Sequence, residues 1–326
     1  MPIHDVGYRS WQGVLMSLLT RWWVITEAGI RINFKNSWVR RTLLLAWLPV
    51  FGAGVGIFTA EKMLEAWQSN DDLYVVLSNN FQDWARTFQN FEPVLAALES
   101  GDRDAARAAL WSWIILNFLR FFQGATMVLL LGLIVPPLIA QDMRSRAFQL
   151  YYARPIGRFD YILGKFAIPA FFVVLITTAP ALGLYAFGVA MSPDLTVLYD
   201  TWQIPVQILA ATAVMIIPTC SLALMFSSLT HESRFAAFAW FSVWGLGLVA
   251  WNMIQAIEIS QLDPGQRVES NWTLVSLYDT LIKVQSYVFG LETRFGYVAP
   301  SFVLLGIITL FSILILLRRV SAPLRA

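Results

Sequence analysis

Residues 121–140 read FFQGATMVLLLGLIVPPLIA, and residues 141–165 continue QDMRSRAFQLYYARPIGRFDYILGK. The first stretch carries no charged side chain, and its length matches the roughly 20 apolar residues a helix needs to cross about 30 Å of hydrocarbon. Polarity then switches at Gln141-Asp142. The next residues mix Arg144 and Arg146 with Phe148, Leu150, Tyr151 and Tyr152, and Arg154-Pro155-Ile156-Gly157-Arg158 makes a turn. After Asp160 the chain becomes apolar again through Gly164-Lys165. A span, a basic loop and a second span follow one another here, and that pattern sets the reading of the whole chain.

Working outward, five further stretches have spanning length, at about Thr42–Thr59, Ile162–Met191, Ile204–Leu229, Phe235–Ile257 and Ala299–Leu317. Composition agrees. Apolar residues make up 57% of the 326 and charged residues 13%, against about 25% charged in soluble domains, too few to cover a water-facing surface. The formal charge of +2 gives no electrostatic footprint for nucleic acid. Cys220 is the single cysteine, and His4 and His231 are the two histidines, so neither an intrachain disulfide nor a His/Cys metal site is expected. Arg9, Arg21, Glu27 and Arg31 break the first apolar stretches, unlike a cleaved signal peptide.

Orientation follows from the basic residues beside the spans. Arg9, Arg21, Arg31, Lys35, Arg40 and Arg41 precede the first span. Arg144, Arg146, Arg154, Arg158 and Lys165 lie between the second and third, Arg234 between the fourth and fifth, and Arg318, Arg319 and Arg325 after the sixth. The opposite loops are poorer by about two to one, which places both termini in the cytoplasm. The expected organisation is a cytoplasmic or interfacial segment 1–41, a six-span domain 42–317 and a cytoplasmic tail 318–326. Residues 10–38 carry apolar residues at helical spacing, with Trp11, Trp22, Trp23 and Trp38 among Arg21, Arg31 and Lys35, which suits an amphipathic helix in the interface.

Two outer segments need separate readings. In 63–107, acidic residues accompany Leu73, Val76, Phe81, Trp84, Phe88 and Phe91 at helical spacing, which reads as a small helical cap. Asp102 or Asp104 can start a helix that runs into the second span, about 55 Å to Ala140. In 258–298, Leu262-Asp263-Pro264-Gly265 is a turn, and Trp272–Phe289 is interrupted by Asp279 and Lys283. That stretch reads as an interfacial or re-entrant helix, because a seventh span would carry the C-terminal arginines to the wrong side.

The loop 139–165 resembles the corresponding loop of type-2 ABC transporter permeases. An acidic residue closes the second span (Asp142), a Pro-containing turn follows (Arg154-Pro155), then Ile162-Leu163 and a Gly-Lys pair, Gly164-Lys165, open the third. The resemblance implies an all-α membrane protein of six spans with a cytoplasmic coupling helix between spans two and three. It implies an ATPase-coupling role for Asp142, Met143, Arg144, Arg146, Phe148, Tyr151, Tyr152, Arg154, Gly164 and Lys165. It further implies a cytoplasmic ABC ATPase subunit as partner, a second permease copy (the same or a related chain), the bacterial inner membrane as location, and export as function. ATP and Mg belong on that partner. A phosphate-loop pattern laid on Gly164-Lys165 meets Phe159 where its first glycine belongs and Phe166 where Ser or Thr belongs. No cofactor is expected on this chain.

The spans carry few ionisable groups, unlike an ion-coupled carrier. Thr177, Thr178, Thr219 and Asn252 are the candidate pathway-lining residues, set against the commoner use of such side chains in helix–helix bonds. Gly52, Gly54 and Gly56 in the first span and Gly245 and Gly247 in the fifth suit close packing. His231-Glu232 is a weak basis for an enzyme. A structural or regulatory membrane subunit, or a secondary carrier, are the alternative functions.

Overall fold

The computed structural model describes residues 20–69, 91–147, 157–192, 194–261 and 271–321. Among them, six helices are long and apolar enough to cross a membrane: Ser37–Glu65, Arg103–Arg144, Arg158–Met191, Gln203–Leu229, Ser233–Glu258 and Phe295–Val320. Each contains one expected span and outruns it, because a helix keeps its internal hydrogen bonds after leaving the hydrocarbon. No strand occurs among the described residues. The chain is an all-α, multi-pass integral membrane protein. With six crossings, both ends of the bundle's chain lie on one face, here the terminal side.

The second, third and fourth spans form the centre, with 67%, 56% and 72% of their apolar windows buried, against 22% for each of the other three. Hydropathy does not separate these groups, since lipid and protein interior are equally apolar. Two packed clusters stack along the bundle. The one on the terminal side joins Leu130, Ile134, Tyr161, Phe172, Leu224 and Trp240. The one on the far side joins Ile57, Trp111, Leu184 and Ile208.

The second span is the longest, 42 residues, or about 63 Å at 1.5 Å per residue. Asp102 starts it by accepting the N–H groups of Asp104 (3.0 Å) and Ala105 (3.1 Å). A π-helical turn occupies Phe118–Gln123, and the Tyr278 hydroxyl donates to the carbonyl of Arg120 there at 2.6 Å. Gly124 leaves room for the Tyr278 ring, which a Cβ would meet at 2.9 Å. A second break falls at Val135–Pro137. The third span is interrupted at Thr177, because Pro180 has no N–H for the Ile176 carbonyl.

On the far side, a short 3₁₀ turn Asn271–Val275 leads into the helix Leu277–Val288. At 12 residues it is about 18 Å long, too short to span. It is packed against the fourth, fifth and sixth spans, with Leu281, Lys283, Val284 and Gln285 buried. Burial pushes the Asp279 carboxyl above its usual range, against the pull of the Ser276 hydroxyl and the Arg120 charge.

The first span carries a buried carboxylate in that half. Glu61 is fully buried and accepts from Arg107 (2.9 Å), Trp111 (3.1 Å) and Ser192 (3.2 Å). It ties the first span to the start of the second and the end of the third. Of the proposed 63–107 cap, Glu92–Glu99 is a helix with Phe91 buried beneath it. Leu73, Val76, Phe81, Trp84 and Phe88 lie outside the described residues.

Candidate functional site: the junction of the second and third spans

Asp142 sits in the last turn of the second span, and Tyr161 and Lys165 lie one turn apart on the third, so both reach the same carboxylate. The Tyr161 hydroxyl donates to Asp142 Oδ2 at 2.8 Å, and Lys165 Nζ lies 2.7 Å from the same oxygen. Lys165 also donates to the Leu138 carbonyl at 2.7 Å and rests 5.5 Å from the centre of the Tyr161 ring. The Lys165 side chain is 9% exposed and that of Asp142 16%. A cation held this far from water needs its charge and protons matched, and the site supplies a carboxylate, a carbonyl and a ring face. The result is a rigid bracket between two spans at the point where the chain leaves and re-enters the bundle.

The amphipathic helix Arg21–Lys35 docks on this bracket from the side. Its Thr26 hydroxyl bonds the carbonyl of Gly164 at 3.2 Å. A Cβ on residue 164 would stand 2.8 Å from the Trp22 carbonyl and 2.9 Å from the Ile25 Cβ, so only glycine permits this approach. Gly29 plays the reciprocal part against Ile168. Gly164-Lys165 therefore combines two functions in adjacent residues: one admits the helix, the other closes the bracket.

Two further features shape the exit of the second span. Its helix ends in a Schellman turn, with the Ala147 N–H bonding the Asp142 carbonyl (3.0 Å) and the Arg146 N–H that of Met143 (3.4 Å). The left-handed position of that turn, normally glycine, is Arg146 with φ of 53°. An L side chain there costs about 1–2 kcal/mol. Above it, Ser227 of the fourth span clamps the proline break. Its hydroxyl oxygen accepts the N–H groups of Ile139 (3.1 Å) and Ala140 (3.2 Å) and donates to the Pro136 carbonyl (2.8 Å). This is an N-cap supplied by another helix. Arg144 reaches Glu232 at 3.3 Å, but with both side chains exposed the pair contributes little.

The structure thus brings Asp142, Gly164 and Lys165 together, with Met143 packed on the core, Arg144 at the helix end and Arg146 in the turn. Phe148, Tyr151, Tyr152 and Arg154 lie outside the described residues. Of the candidate pathway residues, Thr177 and Thr219 are fully buried and donate to their own helix, to Val173 at 2.7 Å and Met215 at 2.5 Å. Thr178, next to Thr177 in sequence, is buried as well. Asn252 is exposed on the fifth span and donates to Leu248 at 2.7 Å. Sequence reasoning did not single out Tyr161, Ser227, Thr26 or Glu61. Only Tyr161 leaves a trace in sequence, four residues before Lys165.

Among curated proteins, none matches this chain. The family model described as ABC-2 family transporter protein matches residues 38–318. That match takes in all six membrane helices and the bracketed junction, and the chain belongs to the ABC-2 transporter family as a membrane-spanning permease.

Proposed function

We propose that this permease is half of an ATP-driven exporter, working as a dimer with a separate ABC ATPase that docks on the segment between the second and third spans. The observation that carries this reading is the bracket. Asp142, Tyr161 and Lys165 fix the two spans to each other immediately beside that segment. A push on the segment is then delivered to both spans together instead of being lost in a hinge. The Ser227 clamp extends the same push to the fourth span, and Gly164 passes it to the N-terminal helix. Family membership supports an ABC ATPase as the source of the push, and the basic loops support a cytoplasmic terminal side in a bacterial inner membrane. ATP and Mg then reside on the partner, and Phe148, Tyr151, Tyr152 and Arg154 belong to the docking surface.

Affinity purification of the chain in mild detergent tests this. A stoichiometric soluble ATPase is expected, and scrambling residues 143–152 should release it while the permease stays folded. Absence of an ATPase from an intact preparation, or its retention on the scrambled chain, would refute the proposal.

A further inference from the structure

The N-terminal helix turns one face to the third span and another away from it. Ile25 and Thr26 are buried, whereas Val24, Ala28, Arg31, Ile32 and Lys35 form an exposed stripe at helical spacing. Asn36 then breaks the helix and starts the first span, its side chain accepting the Trp38 N–H at 3.0 Å. Arg40 and Arg41 follow, both exposed, with the Arg41 guanidinium 5.3 Å from the centre of the Trp38 ring. Glu27 pairs with Arg31, which leaves the elbow with an excess of three positive charges. Apolar side chains share the surface: Ile32 is 67% and Trp38 62% exposed. One to two turns deeper, Leu44 and Leu45 are also exposed.

We propose that this elbow binds the headgroup of an anionic phospholipid and that the bound lipid regulates the junction of the second and third spans. The surface reproduces the polarity of a lipid. Lys35, Arg40 and Arg41 stand at headgroup level, Trp38 at the interface and Leu44 and Leu45 along the acyl chains. A second copy of this chain is a poorer occupant, because apposing the same elbows sets like charges against each other. A soluble polyanion leaves the exposed Ile32 and Trp38 without an apolar partner. Regulation follows from the contact at Gly164: a headgroup that holds the helix in the membrane surface also holds Trp22 and Ile25 against the residue beside Lys165. Binding stands independently of the exporter reading, while the effect on turnover rests on it.

The test uses the full-length chain in mild detergent, phosphatidylglycerol and phosphatidylcholine as probes, and native mass spectrometry to count retained lipid. The wild type should retain phosphatidylglycerol over phosphatidylcholine. Each surface charge removed weakens that preference by about fivefold at most, so the variant R31Q/K35Q/R40Q/R41Q should lose roughly tenfold or more. The control R318Q/R319Q, at the same membrane face, should keep it. The pair R40Q/R41Q should lose it in part and serves if the quadruple variant does not insert. Equal retention of the two lipids by wild type, or equal phosphatidylglycerol retention by wild type and variants, overturns the proposal. A changed dimer fraction with an unchanged lipid count also overturns it, in favour of a second copy. In nanodiscs with the co-purified ATPase, turnover should rise with phosphatidylglycerol content in the wild type but not in the quadruple variant. A flat response in both overturns the regulatory half. Failure to find any ATPase would sink the exporter reading and leave the lipid count intact.

Discussion

Changing Ser227 to Ala removes a side-chain oxygen that serves three backbone groups of another helix. The Ile139 and Ala140 N–H groups follow the two prolines, where the intrahelical ladder is broken, and the Pro136 carbonyl loses its donor at the same time. A buried polar group left unpaired costs about 1–3 kcal/mol. Inside membrane bundles, where freed groups find substitutes, a helix–helix hydrogen bond averages only about 0.6 kcal/mol, and about 1.7 at most. Three such bonds set the expected loss at about 2 kcal/mol, with about 5 as a ceiling. Ser228 is the internal control. It is equally buried, but its hydroxyl donates to Met225 in its own helix at 2.7 Å, so Ser228→Ala loses the same atom without touching the second span. Thermal unfolding in detergent, followed by tryptophan emission, should show Ser227→Ala melting several degrees below Ser228→Ala. In the ATPase complex, Ser227→Ala should also lower the cargo transported per ATP hydrolysed, whereas Ser228→Ala should not. Coincident melting curves and equal transport per ATP for the two variants would refute the clamp.

Four other outcomes follow from the geometry. Lys165→Met should cost about 3 kcal/mol, the low end for removing one partner of a buried pair, because Asp142 is 16% exposed and keeps the Tyr161 hydroxyl. Asp142→Asn on that background should add much less than it costs alone, which a double-mutant cycle of melting or denaturant stability would read. Gly164→Ala should displace the N-terminal helix and expose Arg21 to trypsin, whereas Gly183→Ala, which meets nothing within 4 Å, should not. Arg146→Gly should stabilise the chain by about 1 kcal/mol by relieving the left-handed strain, and Arg146→Ala should bring no gain. Glu61→Ala takes the buried carboxylate from Arg107, which is 4% exposed and keeps its 3.0 Å pair with the exposed Asp104, and should lower stability by about 3 kcal/mol, the low end for breaking a buried pair. Glu61→Ala/Arg107→Ala should recover part of that.

Number, order and approximate position of the spans were legible in the sequence. An uncharged run of about 20 residues has few other uses, and the match at Asp142, Arg154-Pro155 and Gly164-Lys165 gave the family. The Asp102 cap and the short helix after Trp272 were also readable, since caps and breaking charges are local signals. Which spans form the centre was not, because a membrane helix is apolar on the lipid face and the protein face alike. The glycines illustrate this. Of the glycines that suited packing by spacing, Gly247 faces the Val275 carbonyl at 3.1 Å and Gly54 and Gly56 face side chains of other spans at ordinary contact distance, while Gly52 and Gly245 meet nothing of this chain within 4 Å. Gly29, Gly124, Gly132 and Gly164, where a Cβ would clash with a neighbouring helix, carried no such spacing.

The same division holds for the functional junction. Sequence alone determined that an acidic residue ends one span and a Gly-Lys pair begins the next, because polarity changes are written in the order of residues. Only the tertiary structure decided that Lys165 turns back to Asp142 and Leu138, that Gly164 admits the N-terminal helix, and that Ser227 caps the proline break. Those bonds join residues from 23 positions apart (Asp142 to Lys165) to 138 (Thr26 to Gly164). A serine or lysine in an apolar chain shows only that it needs a partner, and the helix packing determines which.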